Sequence, residues 1–134
     1  MIDNKSAQVR TGIDIIEIDR IARVYQRRPR QFLNRVFTRQ EQQLLIGRKY
    51  VEKHLAARFA AKEAVLKLLG LGIGPLSWKE VEILALPSGE PLVKLHKRAA
   101  AQAKVLALTS IALSLSHSRN YAVAQAVALS ITKE

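Results

Sequence analysis

Near the start of the chain Val9, Thr11, Ile13 and Ile15 recur at every second position, which predicts a strand over Ala7 to Ile16 with Asp14 on the face opposite Ile13 and Ile15. The period then changes. Ile18, Ile21, Ala22 and Tyr25 take helical spacing, so strand gives way to helix between Glu17 and Asp19, with Asp19 as the expected N-cap. Helical spacing continues through Phe32, Leu33, Val36 and Phe37 past Pro29. Thr38 with Glu41 then reads as a capping box opening a short helix through Leu45, which Gly47-Arg48-Lys49 ends. From Val51 to Leu69 there is no Gly or Pro, the residues are strong helix formers, and Gly70 stands where a C-terminal cap belongs. A helix of about 19 residues follows. On it Glu63 and Lys67 lie one turn apart, Arg58 and Lys62 form a second such pair, and Leu55, Phe59, Leu66 and Leu69 supply apolar contact. Spacing alone reads this as an amphipathic helix with surface ion pairs.

The second half of the chain returns to alternation. After a loop with Gly70, Gly72 and Gly74, the runs ending at Ala85 and Leu95 flank Pro87-Ser88-Gly89-Glu90-Pro91 and predict a β-hairpin. His96 to Leu108 reads as a helix with a basic exposed side. Ile111, Leu113 and Leu115, then Tyr121 to Ile131, predict two antiparallel strands with His117 at the turn end. The alternate glycines permit close backbone approach to a ligand, yet they form neither a Walker motif nor a dinucleotide fingerprint, because no strand precedes them.

The 134 residues, 49% of them hydrophobic, suit a single domain over 1–134. No cysteine, no apolar run near the roughly 18 residues of a membrane span and no signal-peptide order at the start lead to the expectation of a soluble, cytoplasmic protein. Charge sharpens the picture. Of the net +11, Arg20 to Lys53 contributes +8, with ten Lys/Arg against only Glu41 and Glu52. Arg20, Arg23, Arg27 and Arg30 recur every three or four residues along the first helix, which predicts a cationic face suited to phosphates, nucleic acid or an acidic protein. A nucleic-acid-binding module is one reading. It has few aromatics for stacking, with three Phe, three Tyr and one Trp, and it would bind oligonucleotide with steep salt dependence.

Asp14 and Glu63 are the carboxylates that stand among basic or apolar neighbours on a strand and a helix able to pack together. Two carboxylates suffice for magnesium when substrate phosphates and waters complete the octahedron, although Asp14 equally suits a helix-capping role. Lys62 and Lys67 are counter-charges for a phosphate, and His117 is able to bind phosphate or move a proton. No Ser/His/Asp order and no zinc spacing stand out.

With these residues laid out, the sequence resembles the holo-acyl-carrier-protein synthases, small bacterial phosphopantetheinyl transferases. The marks are Gly12-Ile13-Asp14-Ile15-Ile16-Glu17-Ile18-Asp19-Arg20-Ile21, Phe37-Thr38-Arg39-Gln40-Glu41, Arg58-Phe59-Ala60-Ala61-Lys62-Glu63-Ala64 with Lys67, Gly72-Ile73-Gly74, and Leu113-Ser114-Leu115-Ser116-His117 before Tyr121-Ala122-Val123-Ala124. Ala112 departs from a histidine found in many members, and Leu71 from a Thr or Ser. The resemblance implies an α+β fold, a curved antiparallel sheet packed on a long central helix. It also implies transfer of 4′-phosphopantetheine from coenzyme A to a serine of apo-acyl carrier protein. Asp14 and Glu63 are the implied Mg²⁺ ligands, with Glu63 or a water it orients as base. Lys62 and Lys67 are implied at the phosphates, with Arg58, and His117 near the nucleotide. The Gly70, Gly72 and Gly74 loop would admit the adenine end. Arg20, Arg23, Arg27 and Arg30 would meet the acidic carrier protein. A homotrimer with sites between subunits is implied too, covering the apolar strand faces of Leu113 and Val123.

Overall fold

Strand β1 (Lys5–Glu17) runs antiparallel to β5 (Tyr121–Lys133) along its whole length, from Lys5 opposite Lys133 to Glu17 opposite Tyr121. The structure, a computed structural model, describes residues 5–72, 74 and 77–133. Ile73, Pro75 and Leu76 of the predicted glycine loop lie outside the described residues. Strand β4 (Ala112–His117) pairs with the other edge of β5, giving a three-stranded antiparallel sheet in the order β1-β5-β4. The predicted hairpin is present as β2 (Val81–Ala85) and β3 (Pro91–Leu95), a separate two-stranded sheet. Between β1 and this hairpin come α1 (Ile18–Arg27), α2 (Pro29–Val36), α3 (Arg39–Leu45) and α4 (Val51–Leu69), and α5 (Lys97–Val105) follows β3.

Helix α4 lies across one face of the larger sheet. Register places Gly12, Asp14 and Ile16 of β1, the buried Ala122, Ala124 and Ala126 of β5, and Leu113 and Leu115 of β4 on that face. Small residues let the layers approach closely. A Cβ on Gly12 would stand 1.8 Å from the Ala64 carbonyl oxygen and 2.8 Å from the Leu68 amide nitrogen, so only glycine fits there. The hairpin, α1, α3 and α5 pack on the remaining sides of α4. Ala56, Ala60, Ala61, Ala64, Val65, Leu66 and Leu68 are all buried, so α4 is a central core helix, and the amphipathic surface helix read from spacing is corrected.

The other face of the sheet carries the rest of the alternation. Val9, Ile13 and Ile15 are 65%, 59% and 64% exposed, and Leu129 and Ile131 of β5 join them. Leu113 and Val123 are on opposite faces, because Leu113 pairs with buried Ala126 and turns toward α4. Only Val123 belongs to the free face.

Helix ends follow local chemistry. The Thr38–Glu41 capping box forms as predicted. Gly70 takes the left-handed conformation at φ 74° and ends α4, with the Leu71 amide reaching back to the Leu66 carbonyl at 3.2 Å. Arg10 Nε donates to the Leu68 carbonyl at 2.9 Å, satisfying an acceptor the helix end leaves open. Asp19 is not the N-cap of α1. That position is Glu17, and Asp19 sits in the first turn, 3.8 Å from Arg23. Pro29 opens a new helix, so Arg30 belongs to α2 and does not continue the row of Arg20, Arg23 and Arg27. Helix α5 is shorter than the predicted His96–Leu108 span, because Ala107 is left-handed at φ 53° and Leu108 bridges to Ser130 of β5. Among the described residues no helix is long and apolar enough to cross a membrane.

Candidate active site

The close approach at Gly12 sets Asp14, two residues on, against the face of α4 that carries Glu63 and Lys67. Lys67 Nζ donates to the Ile13 carbonyl at 2.9 Å and lies 3.2 Å from Asp14 Oδ1. Asp14 therefore caps no helix. Its side chain is 18% exposed, whereas that of Lys67 is 54% exposed. Glu63 is half-buried and accepts no hydrogen bond from the described residues. Desolvation, and then the charge of Asp14, raise its carboxyl above the ordinary range, with Lys67 and Arg20 opposing. Two mutually repelling carboxylates beside a backbone carbonyl are a hard oxygen donor set that fits Mg²⁺. Among the described residues no third Asp, Glu or His joins them, so the protein supplies only part of an octahedron.

Lys62, expected at the phosphates, is elsewhere. Its side chain is fully buried, and Nζ donates to Glu41 Oε1 at 2.8 Å, to the Val81 carbonyl at 2.6 Å and to the Trp78 carbonyl at 3.1 Å. All three donors of the ammonium are used inside the core. Glu41 is equally occupied, taking the Thr38 amide on Oε1 and the Ile83 amide on Oε2, at 2.8 and 2.9 Å. One turn earlier Arg58 donates to the Ile83 carbonyl at 3.1 Å. The like charges of Arg58 and Lys62 are thus gathered around an internal anion, the Glu41 carboxylate, and Lys62 is removed from the set of substrate contacts.

Arg58 also belongs to a second charge centre. His54, one turn before it on α4, is held below the ordinary histidine range by desolvation and then by Arg48, Arg58, His117 and Lys53. Among the described residues no carboxylate joins the charges that act on His54, although Glu41 acts on Arg58. His117 pairs with Ala122, whose face of the sheet is the one α4 covers, so the turn-end histidine is brought to the helix as an exposed ring. Arg48, Lys53, Arg58 and His117 thus all act on His54 through their charge, which is an electrostatic setting for an anion.

Arg20 and Arg27 of α1 border a groove of about 510 Å³ between α1, α2 and α4. Its floor is apolar, with Phe32, Phe59 and Trp78 among its residues, the last two rings 4.9 Å apart. Arg28 and Arg35 of the α2 side complete a cationic rim, and Arg23 borders a second recess of about 670 Å³ with Arg20 and Arg27.

The 4′-phosphopantetheinyl transferase superfamily model matches residues 10–126, spanning the elements that carry both charge centres. The chain belongs to that superfamily. It is 46% identical over 116 residues to the holo-[acyl-carrier-protein] synthase of Natranaerobius thermophilus, covering 87% of this chain and 93% of the relative. To the Moorella thermoacetica synthase it is 49% identical, with 87% and 90% covered. Among solved structures, the Helicobacter pylori holo-[acyl-carrier-protein] synthase in complex with coenzyme A superposes with a TM-score of 0.77 at 33% identity, covering 88% of this chain and 98% of that one.

In this transferase the structure brings Asp14, Glu63 and Lys67 together, and separately Arg58 and His117. Arg48, Lys53 and His54 are not singled out as site residues by the sequence pattern, in which Arg48 and Lys53 count toward the bulk charge and Arg48 falls in the segment that ends the preceding helix. The available signal is the i, i+4 and i, i+5 spacing of His54 and Lys53 to Arg58 on one helix, whereas Arg48, ten residues before Arg58, precedes α4 and carries no such signal. Among the described residues nothing lies within 4 Å of where a Cβ on Gly72 or Gly74 would stand, so no described contact requires glycine there.

Proposed function

We propose that this transferase is a Mg²⁺-dependent holo-[acyl-carrier-protein] synthase. It moves 4′-phosphopantetheine from coenzyme A to a serine hydroxyl of apo-acyl carrier protein and releases adenosine 3′,5′-bisphosphate. The observation that carries the reading is the juxtaposition of Asp14 with Glu63 and Lys67, made possible by the glycine contact at Gly12. In the reaction the serine oxygen forms a bond to the pantetheine-side phosphorus, the bridging pyrophosphate bond breaks, and the serine proton is released. Asp14 and Glu63 hold the metal, which when bound neutralises charge growing on the pyrophosphate oxygens. Lys67 reaches the phosphates from the same side. The raised Glu63 carboxyl, directly or through a water it orients, is the first candidate to take the serine proton.

The cluster of Arg48, His54, Arg58 and His117 suits the remaining phosphate of the nucleotide, and the exposed Gly72 and Gly74 are the proposed neighbours of its adenine. Nine residues of helix separate His54 from Glu63, roughly 14 Å, so one chain holds its two charge centres apart. A homotrimer with sites between subunits, its contacts formed by the exposed Val9, Ile13 and Ile15 face, accommodates that separation. The arginine-rimmed groove beside α1 matches an acidic helix of the carrier protein, with Arg20, Arg23 and Arg27 as its cationic contacts. Arg30, placed on α2, is a lesser candidate.

The test is transfer to a panel of apo-carrier proteins, read as the mass gain of one phosphopantetheine. Asp14→Ala and Glu63→Gln are expected to lose transfer while remaining folded, and full activity in either sinks the metal assignment. Reversing charge at Arg20 and Arg23 is expected to raise KM for carrier protein and leave coenzyme A affinity intact, since rim charges act chiefly on encounter. Unchanged carrier kinetics would move docking to another surface.

A further inference from the structure

Lys67 is in an unusual position for a phosphate contact. Its ammonium already has two oxygens, the Ile13 carbonyl at 2.9 Å and Asp14 Oδ1 at 3.2 Å. Those atoms belong to the carboxylate and the adjoining carbonyl that offer themselves to a divalent cation. An ammonium and a metal compete for the same lone pairs and the same negative charge. The exposures are unequal in a way that favours exchange. Asp14 is 18% exposed and held on a paired strand, whereas Lys67 is 54% exposed on a flexible four-carbon stem, so Lys67 is the partner able to leave. Arg20 acts on Glu63 through space and makes no ion pair with either carboxylate among the described residues, so Lys67 is the contact that neutralises Asp14.

We propose that Lys67 is a resident counter-ion of the Asp14–Glu63 pair that gives up its place to the metal and is thereby turned toward the phosphates of coenzyme A. The positioning step rests on the function proposed above and adds a coupling to it. Without coenzyme A the metal must displace an ion pair and leave the ammonium in solvent. With coenzyme A present, the displaced ammonium has phosphates to meet. Metal and coenzyme A therefore bind more tightly together than alone, and linkage makes the enhancement equal in both directions.

Mn²⁺ serves as the probe, titrated by electron paramagnetic resonance and calorimetry into the full chain with and without coenzyme A. Lys67→Met is expected to bind Mn²⁺ alone roughly tenfold more tightly than the unsubstituted protein and to show a correspondingly smaller mutual enhancement with coenzyme A, keeping the part that direct metal–phosphate contact supplies. Arg20→Met removes an equal charge near Glu63 without breaking a contact to Asp14, and a much smaller change is expected. In chelator Lys67→Met melts lower than Arg20→Met, and Mn²⁺ closes the gap. Lys67→Gln replaces it in every arm if Lys67→Met does not fold. Unchanged or weaker Mn²⁺ binding by the Lys67 variant, or an Arg20 effect of the same size, overturns the proposal. If the unsubstituted protein binds Mn²⁺ neither alone nor with coenzyme A, the metal reading fails, and the counter-ion proposal with it. Normal Mn²⁺ binding without any gain at Lys67→Met defeats the counter-ion role alone.

Discussion

Burial, followed by the neighbouring charge of Asp14, raises the Glu63 carboxyl above its usual range. The folded chain therefore keeps the Glu63 proton at pH values where the unfolded chain has released it. Stability falls as pH rises from the unfolded value through the raised folded one. Glu63→Gln is accordingly expected to raise the melting temperature in chelator at neutral pH by about 2–4 °C while transfer drops by at least about 100-fold. A lower melting point for this variant would contradict the electrostatic account. Glu80 and Glu82 have the opposite sign. Burial works to raise both, yet hydrogen bonds from Ser77, Ala99 and Arg98 to Glu80, and from Thr38 and His96 to Glu82, carry them below the ordinary range. Their stabilisation is present above the unfolded carboxylate value and disappears as pH falls through the lowered one. Hydrogen exchange on an acid titration is expected to show β2 and the start of α5 losing protection while β5 retains it.

At the scale of elements, the hairpin, α3 and α4 are joined through one buried ion pair. Lys62→Met leaves Glu41 in the core without its counter-charge, and a loss of about 3–5 kcal/mol is expected in denaturant unfolding. Replacing both residues by leucine should recover much of that loss. If Lys62→Met were instead as stable as the parent and inactive, Lys62 would return to the substrate site. Gly12→Ala tests the β1–α4 contact, since its methyl group would meet the Ala64 carbonyl; melting temperature and transfer should fall together. Gly72→Ala, with nothing near its Cβ, should leave the melting temperature within about 1–2 °C of the parent. These outcomes mirror what was legible in the sequence. The Thr38–Glu41 box, the Gly70 cap, the Pro87 to Pro91 turn and both periods are written within a few neighbouring residues, and all appear in the fold. The role of Lys62 is not, because Glu41 lies 21 residues away and joins it only when α3 packs on α4. Arg58 and Lys62 looked like a site for an external anion because their internal one was out of view. Asp14 and Glu63 became legible through a motif pair, since nothing local distinguishes Asp14 from a capping aspartate.

Across the whole molecule, the free sheet face and the cationic α1 face are the surfaces proposed for the homotrimer and for the carrier protein. Ile13→Lys with Ile15→Lys is expected to shift the protein to monomer in sedimentation velocity while leaving far-ultraviolet dichroism unchanged. Transfer should fall with the trimer if the sites lie between subunits, and persistence of the assembly would place its contacts elsewhere. The alternation within β1 ties this surface to the chemistry. Odd positions Val9, Ile13 and Ile15 face outward, and even positions Gly12, Asp14 and Ile16 face α4. Because the strand has a period of two and Gly12 is held by its contact with Ala64, a single codon inserted just after Gly12 would exchange the two rows beyond it. Isoleucine would be presented to Glu63, and a carboxylate to the face proposed for trimer contacts. On the proposed function, strand register at the scale of one residue would thus govern both partnership and turnover, and β1 should tolerate length changes far less readily than the Ser118–Asn120 turn, where an added residue disturbs neither row.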